Sequence, residues 1–137
     1  MAESGQPSVC IVDDDQDIRE SLRFLFEEAG YEVEEADNGL EALTLVRAQP
    51  RPRVMLLDRM MARLDGFQTL RQFGEEPAAI RRDTAVIFMS ARNDQPNPED
   101  AELIARQTFA TVVKPFHLDD LLATVARASD ALGSRRV

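Results

Sequence analysis

Only one of the 16 basic residues in this chain is a lysine, and there is only one cysteine. A single cysteine excludes a disulfide framework. Cys10 lies in the apolar run VCIV, where it reads as a buried thiol rather than a catalytic or metal-binding one. No apolar run approaches the ~18–20 residues that cross a bilayer, and the start MAESGQPS has no signal-peptide profile. A cytoplasmic location without membrane contact is the expectation. The net charge of −9 offers no general basic footprint for phosphate backbones, so this domain is not expected to bind nucleic acid directly. The glycine-rich sequence of a P-loop is absent too. The scarcity of lysine draws attention to Lys114. Where composition favours arginine so strongly, a retained lysine suggests a place for a compact point charge on a flexible stem.

What the chain does have is the material of one soluble domain. Its 137 residues, 44% hydrophobic and 30% charged, suffice for a core without metals or disulfides. The expected division is an extended or disordered tail over 1–7, a domain over 8–132 and a short polar tail over 133–137. Residues 54–57 (VMLL) form an unbroken apolar run that stops at Asp58, the mark of a strand buried on both faces of a parallel sheet. Further strands are expected at 9–13, 31–36, 85–89 and 111–113, the second with a more exposed face at a sheet edge.

Helices are expected between the strands. Asp15 caps one at 16–29, with Ile18, Leu22, Leu25, Phe26 and Ala29 as its apolar stripe and Gly30 as its stop. Asn38 with Glu41, and Asp65 with Gln68, read as capping boxes that open the next two. Asn97 and Pro98 start a short, loosely held fourth helix. The last runs over 118–132, with Leu118, Leu121, Leu122, Val125 and Leu132 on one face and Gly133 ending it. Five strands alternating with five helices predict a three-layer, doubly wound parallel sheet.

Four of these strands end in Asp13, Asp58, Ser90 and Lys114, and a parallel sheet brings their C-terminal ends to one edge. Clustered carboxylates repel, and a divalent cation removes the conflict. Few carboxylates plus water suit Mg²⁺. An oxygen of Asp58 can then act as nucleophile toward phosphorus, with Lys114 as a second cation and the Ser90 hydroxyl as a neutral partner. Singly, each residue also has a plain structural role as a cap, a turn residue or a surface lysine.

Taken together, IVDDD, LLDRMMARLDG, FMSA and VVKPF resemble the receiver domain of bacterial two-component response regulators over about residues 8–132. The resemblance implies a flavodoxin-like fold with strand order 2-1-3-4-5. Asp58 becomes the phospho-acceptor, supplied by a histidine kinase or a histidine phosphotransfer protein. Asp13 and Asp14 become the Mg²⁺ pair, with the Met60 backbone carbonyl as a further ligand. Ser90 becomes the switch hydroxyl, Lys114 the phosphoryl partner, and Lys114–Pro115 a cis bond. It implies a signalling domain rather than an enzyme, with slow self-dephosphorylation that Met60 and Arg92 tune, and it is compatible with a phosphorylation-dependent dimer.

Departures from the family pattern are Ala62 for a loop proline, Thr111 for the aromatic switch residue, Gln107 for a glycine, and a longer segment with two prolines between Ser90 and Lys114. They predict a looser loop and an unusual output face. The alternative is a pseudo-receiver that acts as a protein-interaction module without phosphorylation. A flavodoxin-like cofactor binder would need a phosphate-friendly first loop, which DDDQD is not. A hydrolase with an aspartate nucleophile would want an acid where Met60 stands.

Overall fold

The computed structural model describes residues 6–135. Five strands, β1 (Ser8–Val12), β2 (Val33–Ala36), β3 (Arg53–Asp58), β4 (Thr84–Ala91) and β5 (Ala110–Lys114), form one parallel sheet in the order β2-β1-β3-β4-β5. The helices are α1 (Gln16–Glu28), α2 (Gly39–Ala48), α3 (Gly66–Phe73), α4 (Ala78–Asp83), α5 (Pro98–Gln107) and α6 (Leu118–Arg135). None is long and apolar enough to cross a membrane among the described residues.

Alternation along the central strands produces the three layers. Val9 and Ile11, Val54 and Leu56, and Ile87 and Met89 point to one face, where Leu22 and Phe26 of α1 and Leu121, Val125, Ala128 and Leu132 of α6 cover them. Cys10 and Val12, Met55 and Leu57, and Val86 and Phe88 point to the other, under α2, α3 and Leu103 of α5. Burial pushes the Cys10 thiol pKa up to about 12, so it is an inert core residue.

The edge strand β2 carries Glu34 and Glu35 on opposite faces, and each has its own arginines. Arg53, 1% exposed, donates from Nε to Glu34 Oε1 at 3.0 Å and from Nη2 to the Gln49 carbonyl at 2.8 Å, while Arg51 Nη2 reaches Glu34 Oε2 at 2.9 Å. On the other face Arg19 and Arg23 both bond Glu35. A strand that would read as polar is thus fastened by charge.

The caps follow the sequence with one change. Asp15 accepts from the Asp17 and Ile18 amides, and Asp65 with Gln68 forms a complete capping box. At α2, however, Asn38 accepts from Glu41 N–H while Glu41 reaches back to the Asp37 amide, one residue before the cap.

Other expectations need correction. The polar connection around residues 78–83 is the short helix α4, which buries no side chain completely and so leaves no apolar period to read. In α1 Ala29 is exposed at the cap, and in α6 Leu118 is exposed while Ala128 takes its place in the core. Gly133 does not end α6, which continues to Arg135, because no left-handed turn intervenes at the glycine. Residues 1–5 and 136–137 of the two expected tails lie outside the described residues.

Candidate functional site

β1 and β3 are neighbours in register, Val12 beside Leu57, so the residues that follow them, Asp13 and Asp58, emerge side by side at the C-terminal edge of the sheet. Asp13, Asp14 and Asp58 each offer a carboxylate oxygen within 4.8 Å of the others. Lys114, at the end of β5, donates from Nζ to Asp58 Oδ1 at 3.0 Å and lies 3.7 Å from Asp13 Oδ2. Its peptide bond to Pro115 is cis. Ser90 stands at the same edge, one residue past Met89, which pairs with Asp58. The Met60 side chain is exposed. Thr111 is exposed as well, back along β5 opposite Phe88.

The electrostatics are those of a site short of positive charge. Burial raises the Asp13 pKa above the ordinary carboxylate range, and the nearby Asp58 and Asp14 charges add to this, outweighing the bond from the Asp15 amide and the pull of Lys114. Burial also raises Asp58, although Lys114 donates to it. Burial disfavours the Lys114 ammonium, but the hydrogen bond and charges of its two carboxylates outweigh that and hold its pKa above the usual lysine value. Among the described residues, the buried Asp13 Oδ2 has no hydrogen-bond partner, with Lys114 Nζ 3.7 Å away. A buried carboxylate oxygen of this kind can serve as a ligand to a hard cation. An all-oxygen set of three carboxylates fits a hard divalent ion, so the residues present suit the Mg²⁺ expected from the sequence.

Comparison with known proteins agrees with this geometry. The family model described as "Response regulator receiver domain" matches residues 9–126. The chain belongs to that family. As a receiver domain it is part of the two-component systems, and it is 39% identical over 117 residues to the response regulator MprA of Mycobacterium leprae, covering 85% of this chain and 48% of that protein. A response regulator MprA from a second Mycobacterium strain is 40% identical over 115 residues, or 84% of this chain and 47% of that protein. The chain therefore spans about half the length of the curated relatives it matches. Among solved structures, a CheY-like receiver domain protein from Methanospirillum hungatei superposes with a TM-score of 0.82 at 26% identity, covering 93% of this chain and 98% of that one. The chemotaxis protein CheY4 of Vibrio cholerae gives 0.74 at 27% identity, over 90% and 98%.

Around the carboxylates the structure places groups that the sequence did not reveal. Arg19 Nη1 donates to the Asp13 carbonyl at 2.7 Å while its Nε holds Glu35, tying the acidic loop to the edge strand. Its position one turn inside α1 was the only available signal. The Ala62 amide donates to Asp14 Oδ2 at 3.1 Å, a bond that proline could not make. The substitution expected to loosen the loop thus gives it an anchor. Arg63 beside it holds φ at +69°, the left-handed region that costs a side-chain-bearing residue. Gln107, expected in place of a glycine, lies against Gly74.

Gly66 closes the loop by donating to the Arg59 carbonyl at 2.9 Å. A Cβ there would come within 2.7 Å of both Asp58 O and Arg59 Cα. Gly66→Ala is therefore expected to cost about 1–3 kcal/mol, because backbone must give way rather than a flexible side chain. Urea unfolding of the variant measures this, and an unchanged midpoint would refute it.

Proposed function

We propose that this receiver domain takes a phosphoryl group from the phosphohistidine of a histidine kinase or phosphotransfer protein onto Asp58. Asp13, Asp14, Asp58 and the Met60 carbonyl would hold Mg²⁺, with Ser90 and Lys114 on the phosphoryl oxygens. The observation that carries this reading is the Lys114–Asp58 bond at 3.0 Å beside a cluster of three carboxylates, one of whose buried oxygens, Asp13 Oδ2, lies 3.7 Å from the same ammonium.

In the transfer, an Asp58 oxygen forms a bond to phosphorus as the phosphorus–nitrogen bond of the donor breaks, and the departing imidazole takes up a proton. Such a reaction needs positioning and charge neutralisation more than covalent assistance. Bound Mg²⁺ would supply positive charge where carboxylates and phosphoryl oxygens meet. Lys114 is already in place, and its raised pKa keeps it cationic at neutral pH. Arg19, through the Asp13 carbonyl, keeps the acidic loop over β1. Beside Lys114 a largely apolar groove of about 560 Å³, bordered by Ile18, Leu22, Pro115 and Phe116, offers room for a protein donor to approach.

The signal would leave through a population shift of the segment around residues 90–111. With Thr111 exposed on β5 and no aromatic at that position, this face would report phosphorylation without an inward-swinging ring. The domain would act as a signalling element that slowly loses its own phosphate, rather than as a turnover enzyme, in a cytoplasmic setting. Its downstream partner, or a domain fused to it, belongs to the same proposal, as does the extent 8–132 of the domain.

Incubation with acetyl phosphate and Mg²⁺, read by intact mass, tests the reading. Addition of one phosphate, lost when EDTA is present, is the expected result. A chain that stays unmodified while folded would favour the phosphorylation-independent pseudo-receiver.

A further inference from the structure

An ion pair across the rim of the site has no part in the function described so far. Arg59, the residue after the acceptor, runs along this rim. Its Nη1 lies 3.3 Å from Asp94 Oδ1 and donates to Met60 Sδ at 3.0 Å, and its Cζ sits 5.0 Å above the Phe67 ring. Asp94 belongs to the turn after Ser90. Its Oδ2 accepts from the Ala91 amide at 2.8 Å, and its own amide donates to the Ala91 carbonyl at 3.0 Å. Arg59 is also clipped by its backbone to β4, donating to the Met89 carbonyl at 2.9 Å. One side chain on the acceptor loop thus holds the carboxylate that closes the turn next to the candidate switch hydroxyl. Among the described residues, the buried Arg59 Nε has no hydrogen-bond partner.

We propose that Arg59 and Asp94 form a latch that keeps the turn after Ser90 in its unphosphorylated arrangement, with Asp94 as the positioning residue, and that a phosphoryl group on Asp58 draws Arg59 away from it. This rests on the reading of Asp58 as acceptor. Phosphorylation replaces a single carboxylate charge by a group carrying about 1.5–2 negative charges, one residue from Arg59. A guanidinium matches phosphoryl oxygens better than it matches one carboxylate oxygen at 3.3 Å. Without Arg59, Asp94 keeps only its contacts to Ala91, and the turn is free to bring the Ser90 hydroxyl and Ala91 amide toward the new group. The coupling is reciprocal: a contact made only in the resting form opposes whatever binds the other form. A merely structural surface pair would instead stabilise both forms alike.

Beryllium fluoride with Mg²⁺ serves as the phosphoryl probe, titrated by calorimetry into the whole chain. Asp94→Ala is expected to bind it about fivefold tighter than wild type. In an Arg59→Gln background the same change is expected to bring less than about a twofold gain, since the latch is already open. Asp94→Asn, which keeps an acceptor for Ala91 but drops the charge, moves in the same direction and covers any local damage by alanine. Amide exchange at Ala91 should quicken in Asp94→Ala without any probe. If wild type binds the probe and Asp94→Ala and Asp94→Asn bind it equally well, or if the gain is the same in both backgrounds, the latch is overturned while the acceptor reading stands. Wild type that neither binds the probe nor gains phosphate would overturn both.

Discussion

Asp58→Asn is expected to gain no phosphate from acetyl phosphate and Mg²⁺, and at neutral pH to be more stable than the wild type. The first effect is all-or-none, because the nucleophilic oxygen pair is gone while Asp13 and Asp14 remain. The second follows from the electrostatics of the site. Asp58 is only 6% exposed, and burial raises its pKa despite the bond from Lys114. A raised folded pKa means that the folded state binds the proton more tightly than the unfolded chain. The resulting stability is fully present below the ordinary value of 3.8 and is lost as pH rises through the folded value. At neutral pH the wild type lacks it.

Asparagine removes a buried charge from a cluster of three, still offers Lys114 an acceptor, and leaves that lysine with Asp13 at 3.7 Å. A gain on the order of 1 kcal/mol is expected. It should shrink as pH falls toward 3.8 and also on adding Mg²⁺, which stabilises the wild type by binding its folded state. Thermal melts at neutral and acid pH, with and without Mg²⁺, read all of this. An Asp58→Asn protein that is less stable at neutral pH, or that still accepts phosphate, would refute the account of the site.

The other large effect lies at the opposite end of the strands. Arg53→Ala is expected to cost about 3–5 kcal/mol, because it leaves Glu34 without its main buried partner and the Gln49 carbonyl without its donor. Against a total stability of about 5–15 kcal/mol this is a severe loss. Replacing both partners, Arg53→Met with Glu34→Leu, should recover most of it, since desolvation of two ions roughly offsets their attraction.

The pH dependence follows from Glu34. Burial acts to raise its pKa, but the bonds from Arg53 and Arg51 outweigh that and hold it below 4.5. Its contribution is therefore present above 4.5 and lost as pH falls through the lower folded value. The gap between wild type and Arg53→Ala should narrow under acid. Urea unfolding at pH 7 and pH 3.5 decides this. A single mutant within about 1 kcal/mol of wild type would show that the pair does not hold the edge strand.

The candidate site was legible because each of its strand-end residues closes an apolar run. Strand and helix periods place Asp13, Asp58, Ser90 and Lys114 at the tips of their strands, and a parallel arrangement leaves those tips only one edge to share. Strand existence, the buried β3 and the caps Asp15, Asn38, Asp65 and Asn97 were readable for a similar reason, since each is set by neighbours within about four residues. Helix α4 was not readable because none of its residues is fully buried and Ile80 packs only partly against the core. Helix α6 runs past the expected stop at Gly133 because glycine permits a helix end without imposing one.

By itself, then, the sequence determined the alternation of strands and helices and which side chains stand at the strand tips, because local spacing and side-chain type decide both. Only the folded chain decided which distant partners meet: Arg53 with Glu34, Arg19 with the Asp13 carbonyl, the Ala62 amide with Asp14, and Arg59 with Asp94. An arginine reaches several ångströms and leaves no period behind it. Its partner is chosen by the packing of whole layers.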